Sequence, residues 1–164
     1  MEDALNAFRV AVASAKKADD VWIALQDYTK KLIGWKLFTV MTADMKAMLA
    51  SRVYSSDTKN YPVSGTKPIT PNRWFDIVHG KHQTFVANTI TDIAEVFPDH
   101  ELIWSLGCGS VINLPVELEG ELIATINILD AEHHYTAERV MMAETHLAVP
   151  AMLAVLTAQR LEGR

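Results

Sequence analysis

The chain has 164 residues, is 49% apolar and 21% charged, and carries a formal net charge of −5 with a pI near 5.6. That is an ordinary globular composition, long enough to bury most of one core. Its acidic balance argues against a nucleic-acid partner, which needs a basic surface. A single cysteine, Cys108, excludes an internal disulfide framework and a cysteine-rich metal site.

In chain order, Glu2–Lys17 spaces Leu5, Phe8, Val12 and Ala15 as an amphipathic helix. Asp19 or Asp20 can cap a second helix, with Val21, Trp22, Leu25, Tyr28, Leu32 and Ile33 on its apolar side and Gly34 as its stop. The period changes at Trp35–Thr42, where Leu37, Thr39 and Met41 alternate with Phe38 and Val40 as a first strand; Met48–Ser55 reads as the second. Ser56–Pro71 is a long, turn-rich connection with no period of its own, and connections of that length are often functional. Asn72–His79 predicts a short helix stopped by Gly80, Gln83–Ala87 a third strand, Asn88–Ala94 a loop or turn, and Asp99–Leu106 another short helix.

Ser110–Glu117 and Glu121–Leu129 are rich in Val, Ile, Leu and Thr and predict a hairpin about Glu119-Gly120. Asp130–Tyr135 is a loop, and Thr136 opens a last helix with Glu138 in its first turn. Pro150 removes one backbone donor and should kink or split that helix. The chain reads as one domain, 1–164. A start of Met-Glu-Asp lacks a signal-peptide pattern, and Leu147–Leu156 is far short of the roughly 20 residues that span a bilayer, which predicts a cytoplasmic protein without a membrane partner.

The stretch Leu106–Leu129, LGCGSVINLPVELEGELIATINIL, has a Ser, an apolar run ending in Pro-Val, a Gly-centred turn and apolar residues through Thr-Ile-Asn-Ile-Leu. With the preceding Asp-Ile-Ala-Glu-Val-Phe-Pro-Asp-His and the element order, it resembles the GAF domains, a family of small-molecule-sensing modules, from Trp22 to Leu156. The resemblance implies an α+β, profilin/PAS-like fold with a central antiparallel sheet of five or six strands. Terminal helices would lie on one face and a ligand pocket, closed by the middle connection, on the other. It also implies homodimers paired through the terminal helices. The residues support that pairing independently, because those helices carry more apolar positions than one sheet face needs. Packing within the monomer alone is the alternative.

Several residues are candidates for a ligand site. Arg52–Lys81 holds a local surplus of positive charge, and Arg52 lies in an otherwise apolar strand, where it could hold a carboxylate or phosphate or sit as a solvated edge charge. Tyr54, Tyr61, Trp74 and Trp104 are candidate walls, of which Tyr54 and Tyr61 lean toward the pocket and the others toward core. Ser110 heads the hairpin. Asn113 and Asn127 sit where Asn is disfavoured and must find partners. A two-residue turn puts Glu117 opposite Leu122 and sends the two amides to opposite faces; a three-residue turn gathers Asn113, Thr125 and Asn127 as a polar floor. The turn residues favour the first, with at most one Asn in the pocket.

Cys108 lies between Gly107 and Gly109, which let backbone approach a ligand and leave the thiol uncrowded, although a lone cysteine is commonly buried. The resemblance also brings free methionine-(R)-sulfoxide reduction, which needs a nucleophilic and a resolving cysteine; with Cys108 alone it would need an external thiol. A ligand-free dimerisation module is a third possibility. His79/His82 and His133-His134 lack a third ligand at a recognisable spacing, so no metal or cofactor is predicted.

Overall fold

The computed structural model describes residues 2–63 and 65–163. Six strands form one antiparallel sheet in the order β3-β2-β1-β6-β5-β4: β1 Leu37–Asp44, β2 Leu49–Ser55, β3 Thr66–Pro68, β4 Phe85–Ala87, β5 Ser110–Leu118 and β6 Glu121–Asp130. The short β3 corrects the expectation that Ser56–Pro71 has no regular structure. Its Pro68 pairs with Leu49 at the sheet edge, where a missing N–H leaves no partner strand unbonded.

Glu119 and Gly120 both take positive φ, 54° and 79°, which is the pair of conformations a tight two-residue hairpin requires. Glu117 duly faces Leu122, but Val116 then faces Ala124, so Ile123 bulges out of β6. One extra residue inverts the face of everything beyond it. Asn113 therefore pairs directly with Asn127, and the two amides share a face, contrary to the expectation drawn from the turn. A second bulge acts on β2. Val40 faces Tyr54 while Met41 faces Arg52, so Val53 is the extra residue and Tyr54 and Arg52 point to opposite sides.

One face of the sheet is apolar throughout. Phe38, Val40, Ile112, Leu114, Ile126 and Ile128 pack against helices α1 Glu2–Ser14, α2 Ala18–Leu32, α6 Ala137–His146 and α7 Ala148–Glu162. Asp20 anchors the start of α2 by accepting from the backbone N–H of Lys16 and Lys17 at 3.0 and 3.2 Å, and these bonds lower its pKa. α2 contacts both α1 and α7, and α6 and α7 reach β5. Among the described residues no single helix is long and apolar enough to cross a membrane.

The C-terminal helix splits as Pro150 demands, but three residues earlier, at Leu147, where α6 and α7 meet at 47°. Pro150 then falls in the first turn of α7, where a missing N–H is tolerated. The carbonyl it would have bonded is that of His146, and the Tyr28 hydroxyl donates to it instead at 3.1 Å. Tyr28 is buried, so Tyr28→Phe should leave that carbonyl without a partner and destabilise the fold by about 1–3 kcal/mol. Urea denaturation monitored by fluorescence would read this as a lower midpoint with an unchanged slope.

Candidate functional site

The other sheet face is not filled. A cavity of about 270 Å³ lies between Leu37, Thr39 and Met41 of β1, their neighbours on β2, β5 and β6, and a cover of connecting segments. The cover comprises Tyr61, β3, Trp74 of helix α3 Arg73–Phe75, the Val96–Asp99 segment and Ile103 of helix α5 His100–Ser105, with the π-helical Asp76–Gly80 and helix α4 Ile90–Ala94 contributing Val78 and Ile93 to the same apolar cluster. Asn72 starts α3 by accepting from the Phe75 N–H at 2.9 Å. Three contacts tie the cover together. Tyr61 donates its hydroxyl to Asp99 Oδ2 at 2.7 Å, Asn72 Nδ2 donates to the Val96 carbonyl at 3.3 Å, and Arg73 pairs with Glu95 at 2.8 Å. The last is solvent-exposed and contributes little; the first is buried at its tyrosine end.

The cavity floor is polar. Trp74 Nε1 donates to Asn113 Oδ1 at 3.2 Å, Asn113 Nδ2 to Asn127 Oδ1 at 2.7 Å, and Asn127 Nδ2 to Thr39 Oγ1 at 3.2 Å. The register places Asn113, Asn127 and Thr39 side by side on β5, β6 and β1, so the relay crosses three strands in one row. Asn113, Asn127 and Thr39 are all buried. Thr125 lines the cavity in the next row.

Charge enters from β2 and from the cover. The Arg52 guanidinium lies 4.8 Å from the Tyr61 ring centroid and donates Nη1 to the Pro62 carbonyl at 3.1 Å, while its buried Nε has no partner. Stacking on the ring restricts the guanidinium to the cavity side of β2. Lys67, on exposed β3, has its pKa lowered chiefly by lost solvent; Asp99 opposes the shift and Arg52 adds to it. Burial first, then the bond to Asp99, raise the Tyr61 pKa, so the phenol stays a neutral donor. The lining thus carries Arg52, Lys67 and Asp99 around otherwise apolar walls.

Neither a protein-family model nor a curated protein matches the sequence. Solved structures do. The GAF domain of a two-component sensor histidine kinase from Bacillus halodurans matches with a TM-score of 0.72 at 13% identity, over 92% of this chain and 100% of that one. The fold is that of a GAF domain. The GAF domain of an Acinetobacter phosphoenolpyruvate-protein phosphotransferase gives a TM-score of 0.72 at 8% identity, over 99% and 96% of the two chains. A phycoerythrobilin-bound GAF domain from a cyanobacterial phytochrome gives 0.68 at 14% identity, over 99% and 97%.

Within this GAF fold, Arg52, Tyr61, Asn113 and Asn127 all line the cavity, joined by Trp74, which the sequence pattern ranks with the core. Tyr54 does not: the bulge at Val53 turns it to the helix side, where its hydroxyl donates to Gln26 Oε1 at 2.9 Å and its ring meets Phe38 edge-on. Trp104 is 54% exposed on the outer side of α5, away from the cavity. Ser110 is buried and bonds the Ala131 carbonyl at 2.7 Å, fastening the end of the hairpin rather than a ligand. Cys108 is fully buried outside the cavity, and burial pushes its thiol up to about 11. Gly109 serves chain packing, since a Cβ there would meet Glu132 Cγ at 2.3 Å.

Thr39 joins the cavity without any sequence signal of its own; Asp99 stands only as the start of the short helix Asp99–Leu106, and Lys67 only within the Arg52–Lys81 surplus. His79 stacks on Phe75, His82 pairs with Glu117 at 2.8 Å and His134 Nε2 lies 2.9 Å from the Ile33 carbonyl. Among the described residues no group of three or more His, Cys, Asp or Glu comes together as a metal site would need.

The Cys108 shift fixes a sign. Its folded pKa of about 11 lies above the reference 9.0, so between those values the unfolded chain loses the proton first. Cys108 therefore contributes stability that declines as pH rises through this window, by at most about 1.4 kcal/mol per pH unit. Cys108→Ala should flatten the corresponding part of the stability–pH curve. The native thiol should resist alkylation at pH 8 while the denatured chain reacts, both measured by intact mass.

Proposed function

We propose that this GAF domain is a cytoplasmic small-molecule-binding sensory module whose ligand occupies the cavity and turns an anionic group toward Arg52. The observation that carries this is the buried, unpartnered Nε of Arg52 beside a cavity with a polar floor and apolar walls. A buried donor without an acceptor costs about 1–3 kcal/mol, and a carboxylate or phosphate oxygen would remove that cost. At about 270 Å³, just below the roughly 300–1,000 Å³ typical of ligand pockets, the cavity suits a compact metabolite. Sensor proteins among the structural neighbours, and the bilin held by the cyanobacterial one, support a sensory role by analogy of fold.

The same proposal gives the module a homodimeric form. Val149, Leu153 and Leu156 are exposed at a spacing of four and three along α7, with Met141 exposed on α6, forming the apolar stripe a second copy would cover. Cys108 gives the thiol-reductase alternative no support, because its thiol neither faces the cavity nor favours the thiolate.

Native mass spectrometry of the purified protein tests the binding role. A small molecule retained at one per subunit is the expected result; an empty protein with no thermal shift across a metabolite panel would leave only the interaction module. For any anion so identified, Arg52→Ala should weaken binding about ten- to hundredfold by calorimetry, as loss of a charge-assisted bond does. For the dimer, Leu153→Glu should shift the mass measured by light scattering from two subunits to one, and an unchanged mass would place the interface elsewhere.

A further inference from the structure

Tyr61 touches two opposite charges at the cavity. The Arg52 guanidinium lies 4.8 Å from its ring centroid, and its hydroxyl donates to Asp99 Oδ2 at 2.7 Å. Arg52 and Asp99 both line the cavity, as does Lys67. Among the described residues none of these three charged groups enters an ion pair, with one another or with any other group. They are nonetheless close. Lys67 feels both others, since Asp99 raises its pKa and Arg52 lowers it. Tyr61 is buried and joins the remaining two, so its ring sets their spacing. The three legs, guanidinium to ring, ring to hydroxyl and hydroxyl to carboxylate, hold Arg52 and Asp99 within about 10 Å of each other. The Arg52 Nε is buried without an acceptor, whereas Asp99 is exposed and Tyr61 is the one hydrogen-bond partner of its side chain among the described residues.

An anion alone at Arg52 would meet Asp99 as a like charge. A ligand that carries a protonated amine beside its anionic group removes the conflict, because each end then has an opposite partner. With contacts of about 2.8 Å at both ends, an α-amino acid bridges a guanidinium carbon and a carboxylate oxygen roughly 6–9 Å apart, within the limit that Tyr61 imposes. We infer that the cavity takes a zwitterion of α-amino-acid type, its carboxylate held at Arg52 and its protonated amine at Asp99. This ligand class rests on the anion-binding role proposed for the cavity and adds a second, opposite charge to it. Tyr61 acts through Arg52 and Asp99 and is a positioning residue. A carboxylic acid without the amine keeps the Arg52 contact but leaves Asp99 repelling it, and a dianion fares worse.

Paired probes isolate the amine: L-leucine against 4-methylpentanoate, L-phenylalanine against 3-phenylpropanoate, and L-glutamine against 4-carbamoylbutanoate. Calorimetry on the full chain measures each affinity. In the pair that binds most tightly, the amino acid should bind about tenfold more tightly than its desamino partner, the scale of one charge-assisted hydrogen bond. Asp99→Asn removes the charge, keeps an acceptor oxygen for Tyr61 and disturbs no capping bond of α5, since Asp99 makes none. It should bring that ratio to about twofold or less, and Asp99→Glu should restore most of it. A ratio unchanged in Asp99→Asn, with both probes weakened alike, would mean a merely structural Asp99 and overturn the inference. Equal or tighter binding of the desamino acids by the unaltered protein would overturn it too, with the anion-binding role standing; this comparison decides the matter even if Asp99→Asn fails to fold. Binding of none of the six at about 10 mM would also overturn it. The anion-binding role falls with it only if native mass spectrometry and the metabolite panel come up empty as well.

Discussion

A carboxamide buried in the middle of a sheet must be hydrogen-bonded, and Asn127 on the central strand β6 meets that demand on both flanks. It accepts from Asn113 on β5 and donates to Thr39 on β1. Leaving either amide unpaired would cost on the order of 1–3 kcal/mol, so the three central strands are held in one register by their side chains as well as their backbones. The same row keeps the face opposite the helices from closing into a dry core. Apolar residues at these positions would pack down against the cover; amides and a hydroxyl leave a polar floor instead.

The division of labour between the two faces follows from this row. Phe38, Val40, Ile126 and Ile128 pack against α1, α2, α6 and α7 in a continuous core that gives the fold its rigidity. The cavity face relies on one smaller apolar cluster that includes Leu37, Phe85, Val111 and Leu129 and on a cover joined by a few polar ties, chief among them Tyr61 to Asp99. A face held by the smaller apolar cluster opens at lower free energy than the helical core. Arg52 links the two parts: it springs from the sheet, stacks on Tyr61 and bonds the Pro62 carbonyl, so a ligand engaging its guanidinium would be felt directly in the cover.

Much of the architecture was legible because its causes are local. Helical spacing in Val21, Trp22, Leu25 and Tyr28, strand alternation from Leu37 to Met41, and Gly120 in a tight turn each follow from backbone sterics and from one buried side per element. Pro150 likewise announced a break from its missing donor, though the break sits at Leu147 because the first turn of a new helix is where a proline is tolerated. The short β3 escaped notice because an edge pairing of three residues leaves no periodic trace.

By itself, then, the sequence determined the order of elements and the presence of buried polar residues that would need partners, while the helices on one side of the sheet followed from the resemblance. Only the tertiary structure decided which face those residues occupy. The reason is physical: a strand's side-chain period is two, so one unpaired residue reverses every position after it. Ile123 and Val53 are the residues that do so, and both are β-branched residues suited to a regular strand, carrying no mark of the bulge they form. Those bulges bring Asn113 and Asn127 together, turn Arg52 to the cavity and send Tyr54 to the core. Trp74, distant in sequence, then reaches the row through the folded cover and donates to Asn113.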